Sequence, residues 1–161
     1  AGACWPGSLP DPVVEGAFSP LPGVTLLPHT TPGLAQKGAA AGMFRLEGGQ
    51  WVPDDFSHEQ TLVLDTPRGL GSVQQLLPRR GGHRVREVQV AFPGRPIRAI
   101  VGASTSTPPQ TRRSGSWPAA SGIPGWAVLT GHCTGERGFA LLREELGEMV
   151  EQFSTGLVVE L

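Results

Sequence analysis

Tyrosine is absent from this sequence of 161 residues, Lys37 is its single lysine, and Cys4 and Cys133 are its two cysteines. Two cysteines are too few for the disulfide framework of a small secreted domain, so we predict free thiols and a cytoplasmic protein. The 13 basic and 14 acidic residues almost cancel, and the formal net charge of -1 gives no electrostatic basis for binding nucleic acid or an anionic membrane. No stretch approaches the ~20 apolar residues of a membrane span, and the N-terminus lacks the pattern of a signal peptide.

Glycine and proline are abundant instead, with 23 and 16 residues, and the length is sufficient for one domain with a core. The first residue is Ala rather than Met, and the simplest interpretation is a piece of a longer protein. We expect a single, partial domain over residues 1–161. The segment 103–121 is rich in Ser, Thr, Pro and Arg and has no apolar periodicity, so we predict that it is irregular or disordered.

Apolar runs bounded by turn residues alternate with helical patterns, which predicts an α/β fold class. The predicted strands are 24–27, 61–65, 97–101, 126–130 and 157–161, and the predicted helices are 84–91 and 136–147. Residues 43–52 read as a β-hairpin, because Gly48 and Gly49 permit its turn.

The stretch from Thr130 to Gly135, with the sequence TGHCTG, reads as the end of a strand, a tight turn and the start of a helix. His132 would then lie just past the carboxyl end of a strand, where ligands collect in α/β folds. We predict that Thr134 caps the helix through its hydroxyl. Cys133 neighbours His132, so on an extended segment it would point the other way and pack beneath the turn.

The sequence GHCTG at 131–135, followed by a helix with Phe139 to Leu142 and by Leu146-Gly147, resembles the C-terminal signature of one branch of the metallo-β-lactamase superfamily. That branch contains the 7,8-dihydropterin-6-methyl-4-(β-D-ribofuranosyl)-aminobenzene-5′-phosphate synthases. Further similarity lies at 22–24, 59–63, 90–102, 122–126 and 154–161. The resemblance implies the C-terminal part of an αββα sandwich, incomplete because the whole fold needs appreciably more chain.

The resemblance also implies a metal-dependent hydrolase or transferase that acts on a small, phosphorylated or pterin-type substrate. His132 would be a ligand of a divalent metal, which would be zinc, manganese or iron. The free N–H groups that precede the last helix, with Thr134, Gly135 and Arg137, would bind an anion, in keeping with a phosphorylated substrate.

Most of the ligands that this superfamily uses are missing, since no His-x-His-x-Asp-His motif occurs. The family's next histidine would fall near position 78, which is Pro78, and His83 comes a few residues late. His58, beside Asp54, Asp55 and Glu59, permits an alternative oxygen and nitrogen site, although a polar loop that caps a strand is the favoured interpretation. His29, between prolines, is expected to be an exposed loop residue.

The family pattern is interrupted over about 71–84 and 103–121, while the flanking motifs keep their spacing. A pair of compensating frameshifts is our hypothesis for these blocks, and translating the encoding DNA in the other frames would test it. Because its ligand partners are absent, His132 is expected to be an accessible imidazole, and the chain is expected to be inactive. The alternative function is that of a non-catalytic remnant or an interaction domain.

Overall fold

The computed structural model describes residues 16–74, 82–102 and 127–160. Within these ranges the chain forms nine strands, three α-helices and two short 3₁₀ turns. The elements are β1 (Phe18–Leu21), β2 (Val24–Pro28), α1 (Leu34–Ala40), β3 (Phe44–Glu47), β4 (Gln50–Pro53), β5 (Gln60–Thr66), β6 (Gly69–Val73), α2 (Gly82–Ala91), β7 (Ile97–Val101), β8 (Ala127–Thr130), α3 (Gly135–Leu146) and β9 (Val150–Gln152).

Seven of the strands form one mixed sheet in the order β1-β2-β5-β6-β7-β8-β9, and β3 and β4 form a separate hairpin. The pairs from β1 to β6 are antiparallel, whereas β6, β7, β8 and β9 run parallel. Parallel neighbours need crossover connections, and α2 and α3 provide two of them. The carboxyl ends of the parallel strands therefore meet at one edge, where Gln74 N–H donates to Val101 and Gly102 N–H donates to Leu129.

The core lies between one face of this sheet and the helices α2 and α3. The strand register aligns Val63, Ser72, Ile100, Val128 and Val150 in one row across the sheet. The four apolar members of the row pack in a single cluster with residues of both helices, namely Val85, Val88, Leu142 and Leu146. The periodicity that predicted these helices thus marks the faces that they bury.

The opposite face of the sheet is also apolar, and the register places Leu62, Val73, Val101 and Leu129 across it. The segment after β9 lies over part of this face, where it bounds a cavity of about 310 Å³ together with strand residues. Leu157 in this segment is 44% exposed, so the cover is incomplete. One sheet with one helical layer corresponds to half of a four-layer sandwich.

The predicted last strand is wrong. Residues 157–160 belong to no strand and are exposed, and β9 at Val150–Gln152 pairs parallel with β8 in its place. The reason is the end of α3: Gly147, with φ 63°, stops the helix, and a single 3₁₀ turn returns the chain directly to the sheet edge. The other predicted strands, both helices and the hairpin are confirmed within a few residues.

Two predictions fall outside the described residues, namely the disorder of 103–121 and the free thiol of Cys4, and so does Pro78, where the resemblance would place a histidine. Of the two blocks in which the family pattern is interrupted, the first lies partly within the described residues, because 71–73 belongs to β6 and 82–84 belongs to α2. None of the helices in the described ranges has the length and apolar character needed to cross a membrane.

Gly38 in α1 packs against Asp54, which directly follows the β3–β4 hairpin, and a substitution at Gly38 tests this contact. Alanine in a helix interior ordinarily stabilises by about 1 kcal/mol relative to glycine. At Gly38, however, an added Cβ would collide with the backbone carbonyl of Asp54. We therefore expect Gly38→Ala to destabilise the chain by about 2 kcal/mol, measured by urea denaturation. The matched control is Ala39→Gly at an exposed site, where only the propensity cost of about 1 kcal/mol applies. An increase in stability for Gly38→Ala would contradict this packing.

Candidate functional site

The turn that follows β8 is built around Gly131. Thr134 N–H donates to Gly131 O at 3.1 Å, and Phe153 N–H donates to Thr130 O at 3.0 Å. A Cβ on Gly131 would lie 2.8 Å from Cζ of Phe153, so the ring of Phe153 occupies the space that a side chain would need. A side chain at position 131 would therefore displace the ring of Phe153, which is 40% exposed. The hydrogen bond from Phe153 fastens the turn to the segment that follows β9.

His132 projects from this turn into solvent, two residues past the carboxyl end of β8. Its exposure agrees with the prediction of an accessible imidazole at the carboxyl ends of the parallel strands, the edge where α/β folds bind ligands. Its role as a metal ligand stays a prediction.

Cys133 does not pack beneath the turn as predicted. It is exposed, and its Sγ lies 3.3 Å from Nε2 of His132. Residues 132–134 form a 3₁₀ turn rather than an extended segment. Successive side chains are then about 120° apart instead of opposed, and neighbours can approach each other. The turn thus presents an imidazole and a thiol side by side.

The prediction that Thr134 caps α3 is also wrong. An N-cap residue takes an extended conformation, but Thr134 is already helical, with φ −66° and ψ −29°, and its side chain makes no capping hydrogen bond. At the junction of the 3₁₀ turn and α3, it is Gly135 that leaves the helical conformation, with φ 67° and ψ 161°. Thr134 is buried, whereas Gly135 and Arg137, the other predicted anion-binding residues, are exposed. Glu136 adds a negative charge to this first turn, which opposes an anion there.

The donors that the described residues supply at this edge are too few for a catalytic metal centre on their own. A catalytic zinc ion takes three protein ligands and keeps one position for water or substrate. In the described part of the chain, no group of three or more His, Cys, Asp or Glu residues is arranged to hold a metal. His132 and Cys133 supply one nitrogen and one sulfur. Pro78, at the position where the resemblance would place a further histidine, lies outside the described residues.

A second polar cluster centres on Glu87 of α2. Its Oε2 accepts from His29 Nδ1 at 2.8 Å, and its Oε1 accepts from the N–H of Thr30 at 2.9 Å and from the N–H and hydroxyl of Thr31 at 2.8 and 2.6 Å. Burial alone would raise the pKa of this carboxyl. The hydrogen bonds from His29, Thr31 and Thr30 outweigh burial and lower the pKa of Glu87 to about 2.

Arg84, one helical turn earlier, extends this cluster. Its side chain is 1% exposed and pairs with Glu59, whose Oε2 also lies 4.0 Å from Nε2 of His29. Burial lowers the pKa of Arg84, and the adjacent Glu59 and Glu87 carboxylates oppose that effect. The buried network joins the loop after β2, the residue before β5 and the helix α2 through charged side chains.

These contacts correct two sequence interpretations. His29 was expected to be exposed, but its side chain is 3% exposed because α2 packs over the loop. In the loop at 54–59, the residue that faces the interior is Glu59. The side chain of His58 is 60% exposed, and its Nδ1 lies 3.7 Å from Asp54. The oxygen and nitrogen site at 54–59 is therefore not formed.

The favoured interpretation of that loop was a polar cap on a strand, and the structure shows polar side chains that hold local turns within the loop before β5. Asp54 accepts from the N–H of Phe56, and Asp55 accepts from the N–H of Ser57. His83 lies in the first turn of α2, and its side chain is outside the described part.

The chain was compared with protein families, curated proteins and solved structures. No protein-family model and no curated protein matches the sequence. Among solved structures, the chain is similar to Tm1679, a metal-dependent hydrolase of the β-lactamase superfamily, with a TM-score of 0.65 and 20% identity over 92% of this chain. The described chain has part of a metallo-β-lactamase-like fold. The predicted fold class is thereby confirmed, and the chain spans 57% of the length of that metallo-β-lactamase-fold protein.

Proposed function

We propose that this chain is part of a metal-dependent hydrolase of the metallo-β-lactamase type, with His132 as one of its metal ligands. The observation that carries the proposal is the place of His132: an exposed imidazole at the carboxyl end of β8, within this fold. The similar structure is that of a metal-dependent hydrolase. The proposed compartment is the cytoplasm, in keeping with the exposed free thiol of Cys133.

A divalent metal in such a site would activate a water molecule for attack on the substrate. The described residues provide His132 and Cys133 toward it, which is fewer than three ligands, so no catalytic step follows from the described residues alone. We propose that the remaining ligands come from polypeptide outside the described residues. Zinc, manganese and iron are the proposed metals.

The proposed substrate is a small, phosphorylated or pterin-type molecule. The first turn of α3 supports this class, because its exposed residues Gly135 to Arg137 follow closely after His132 in the chain and Arg137 adds a positive charge. Glu136 weakens the site, so we expect an anion to bind measurably only together with a metal.

A metal titration tests the ligand role. We expect Zn²⁺ to bind weakly to the full chain in calorimetry, and His132→Ala to abolish that binding, because the remaining thiol cannot hold the ion. His58→Ala is the matched control, since His58 is an exposed histidine on another loop, and it should bind as the wild type does. Co²⁺ as a probe should also show a thiolate charge-transfer band that Cys133→Ser removes. Binding that His132→Ala leaves intact, or no binding at all, would contradict the ligand assignment.

The second candidate function is a non-catalytic interaction domain. It is favoured by the lack of a three-ligand group in the described part of the chain. No Zn²⁺, Mn²⁺ or Fe²⁺ binding by the full chain would favour this alternative, so the same titration separates the two functions.

A further inference from the structure

The imidazole of His29 lies between two carboxylates, and one of its ring nitrogens is unsatisfied. The side chain is buried, and Nδ1 lies 2.8 Å from Oε2 of Glu87. On the other side of the ring, Nε2 lies 4.0 Å from Oε2 of Glu59. That distance is too long for a direct hydrogen bond, and Nε2 is buried with no hydrogen-bond partner among the described residues. The ring is thus held at one nitrogen and unpaired at the other.

The hydrogen bond to Glu87 determines the role of Nε2. Glu87 is an ionised carboxylate at neutral pH, because its hydrogen bonds lower its pKa to about 2. An ionised carboxylate only accepts, so Nδ1 of His29 carries the proton and donates. In the neutral ring, Nε2 then has a lone pair and is an acceptor. The Glu59 carboxylate opposite it, which pairs with Arg84, is an acceptor as well. Two acceptors therefore face each other across 4.0 Å.

Arg84 brings unpaired donors to the same place. Its guanidinium is buried, and Nη2 donates to the Glu59 oxygen that also faces His29. Its Nε and Nη1 are buried too, and neither has a hydrogen-bond partner within the described ranges. Buried polar groups without partners are costly, and native proteins satisfy nearly all of them, often through ordered water. A molecule at this place would have to accept from Arg84 and donate to His29.

The chemistry of these groups selects a neutral molecule that both donates and accepts. An anion would meet the carboxylates of Glu59 and Glu87, and a metal cation would meet the fixed charge of Arg84. In the part of the chain that the structure describes, no group of His, Cys, Asp or Glu residues is arranged to hold a metal there. An apolar ligand would leave the polar atoms unpaired. Water has two donors and two acceptors, and a buried water ordinarily makes about three hydrogen bonds.

We propose that one water molecule is bound inside the chain at this place, where it donates to Nε2 of His29 and to Oε2 of Glu59 and accepts from Arg84. The separation of 4.0 Å between the two acceptors permits such a bridge. An oxygen at about 2.8 Å from each acceptor would make an angle of roughly 90° with them, close to the angle between the two O–H bonds of water. The water links the loop after β2, the residue before β5 and the helix α2.

Nuclear magnetic resonance of the ¹⁵N-labelled full chain at neutral pH tests the proposal. The Nε–H of Arg84 should show NOE and ROE cross-peaks to water of opposite sign, which distinguishes a bound water from hydrogen exchange. The imidazole nitrogens of His29 should have the chemical shifts of a neutral ring that is protonated on Nδ1. The lack of a bound-water cross-peak would overturn the proposal. A proton on Nε2 would overturn it as well, because Nε2 would then donate toward Glu59 without a bridge.

Three variants identify the source of the cross-peak. His29→Phe removes the acceptor and should abolish the water cross-peak at Arg84, whereas the matched control His58→Phe, at an exposed histidine, should retain it. Thr61→Val should retain it too, since it removes only a buried hydroxyl two residues after Glu59 that could relay exchangeable protons. Far-UV circular dichroism checks that each variant is folded.

A cross-peak that persists in folded His29→Phe, or that disappears in Thr61→Val, would overturn the proposal, because the signal would then come from another site. If His29→Phe does not fold, the wild-type spectra and the Thr61→Val spectra still decide the question. They report directly on the protonation of the His29 ring and on water beside Arg84.

Discussion

Replacing Arg84 by alanine is expected to destabilise the chain by about 3–5 kcal/mol, because one partner of a buried ion pair is removed while the other stays in place. The Arg84 side chain is 1% exposed and pairs with Glu59, which is itself 10% exposed. Without the guanidinium, the buried Glu59 carboxylate would lose its closest basic partner and keep only the longer contact of 4.0 Å with Nε2 of His29. The measurement is urea denaturation followed by circular dichroism, with a check that the variant is folded in the absence of urea.

Two further variants make this measurement decisive. Arg86→Ala is the matched control, because Arg86 lies on the same helix but is exposed, and it should cost less than about 0.5 kcal/mol. The double variant Arg84→Met with Glu59→Leu removes both charges and should recover most of the stability, since apolar pairs often replace buried ion pairs without loss. If Arg84→Ala cost no more than Arg86→Ala, the buried pair would not contribute as described.

The sequence predicted the parts of the fold that local pattern determines. Phe139, Leu142 and Leu146 recur at helical spacing, and in the structure they face the core from α3. Strand β5 was recognised because its apolar run is bounded by polar and turn residues. The hairpin followed from Gly48 and Gly49. In each case the residues that fix the element are neighbours in the chain.

The failures have a common physical origin in contacts between distant segments. His29 looks like a loop residue in sequence, and only the packing of α2 buries it against Glu87. Strand β9, with the sequence VEQ, has no apolar alternation and is defined by its place beside β8. Its short, polar sequence gave no signal, whereas the apolar residues Leu157 to Val159 gave a false one.

The candidate site was predicted in part, because a motif specifies position better than conformation. GHCTG placed His132 at the end of a strand and before a helix, and the structure agrees. The motif could not reveal that its middle residues form a 3₁₀ turn, which brings Cys133 to the imidazole and removes the capping role of Thr134. Ligands that come from other segments cannot be derived from the motif at all.

Glu87 is expected to make the stability of the chain depend on pH in the acidic range. Its pKa is about 2 in the folded chain and 4.5 in the ordinary state. A carboxyl whose pKa is lowered by folding stabilises the folded state above its unfolded pKa. That contribution is lost as the pH falls from about 5 toward about 2, where the folded-state carboxylate also takes up a proton.

The matched variant is Glu87→Gln, which keeps the shape of the side chain and removes its charge. At neutral pH it should be about 2 kcal/mol less stable than the wild type, below the full linkage value because the side chain keeps some contact with water. The difference should shrink steadily below pH ~4.5, since protonation of Glu87 makes the wild type resemble the variant. Urea denaturation at several pH values measures both effects.

His29, Arg84 and Glu59 lie beside this carboxyl or its partners, so the comparison of variants isolates the effect of Glu87 better than the wild-type curve alone. Glu151→Gln serves as the control, because Glu151 is an exposed carboxylate on β9, and its curve should run parallel to that of the wild type. A stability difference between Glu87→Gln and the wild type that stays constant from neutral pH down to pH ~2 would show that the Glu87 charge contributes nothing. The contacts from His29, Thr30 and Thr31 would then act through shape alone, and the network would be a packing feature and not an electrostatic one.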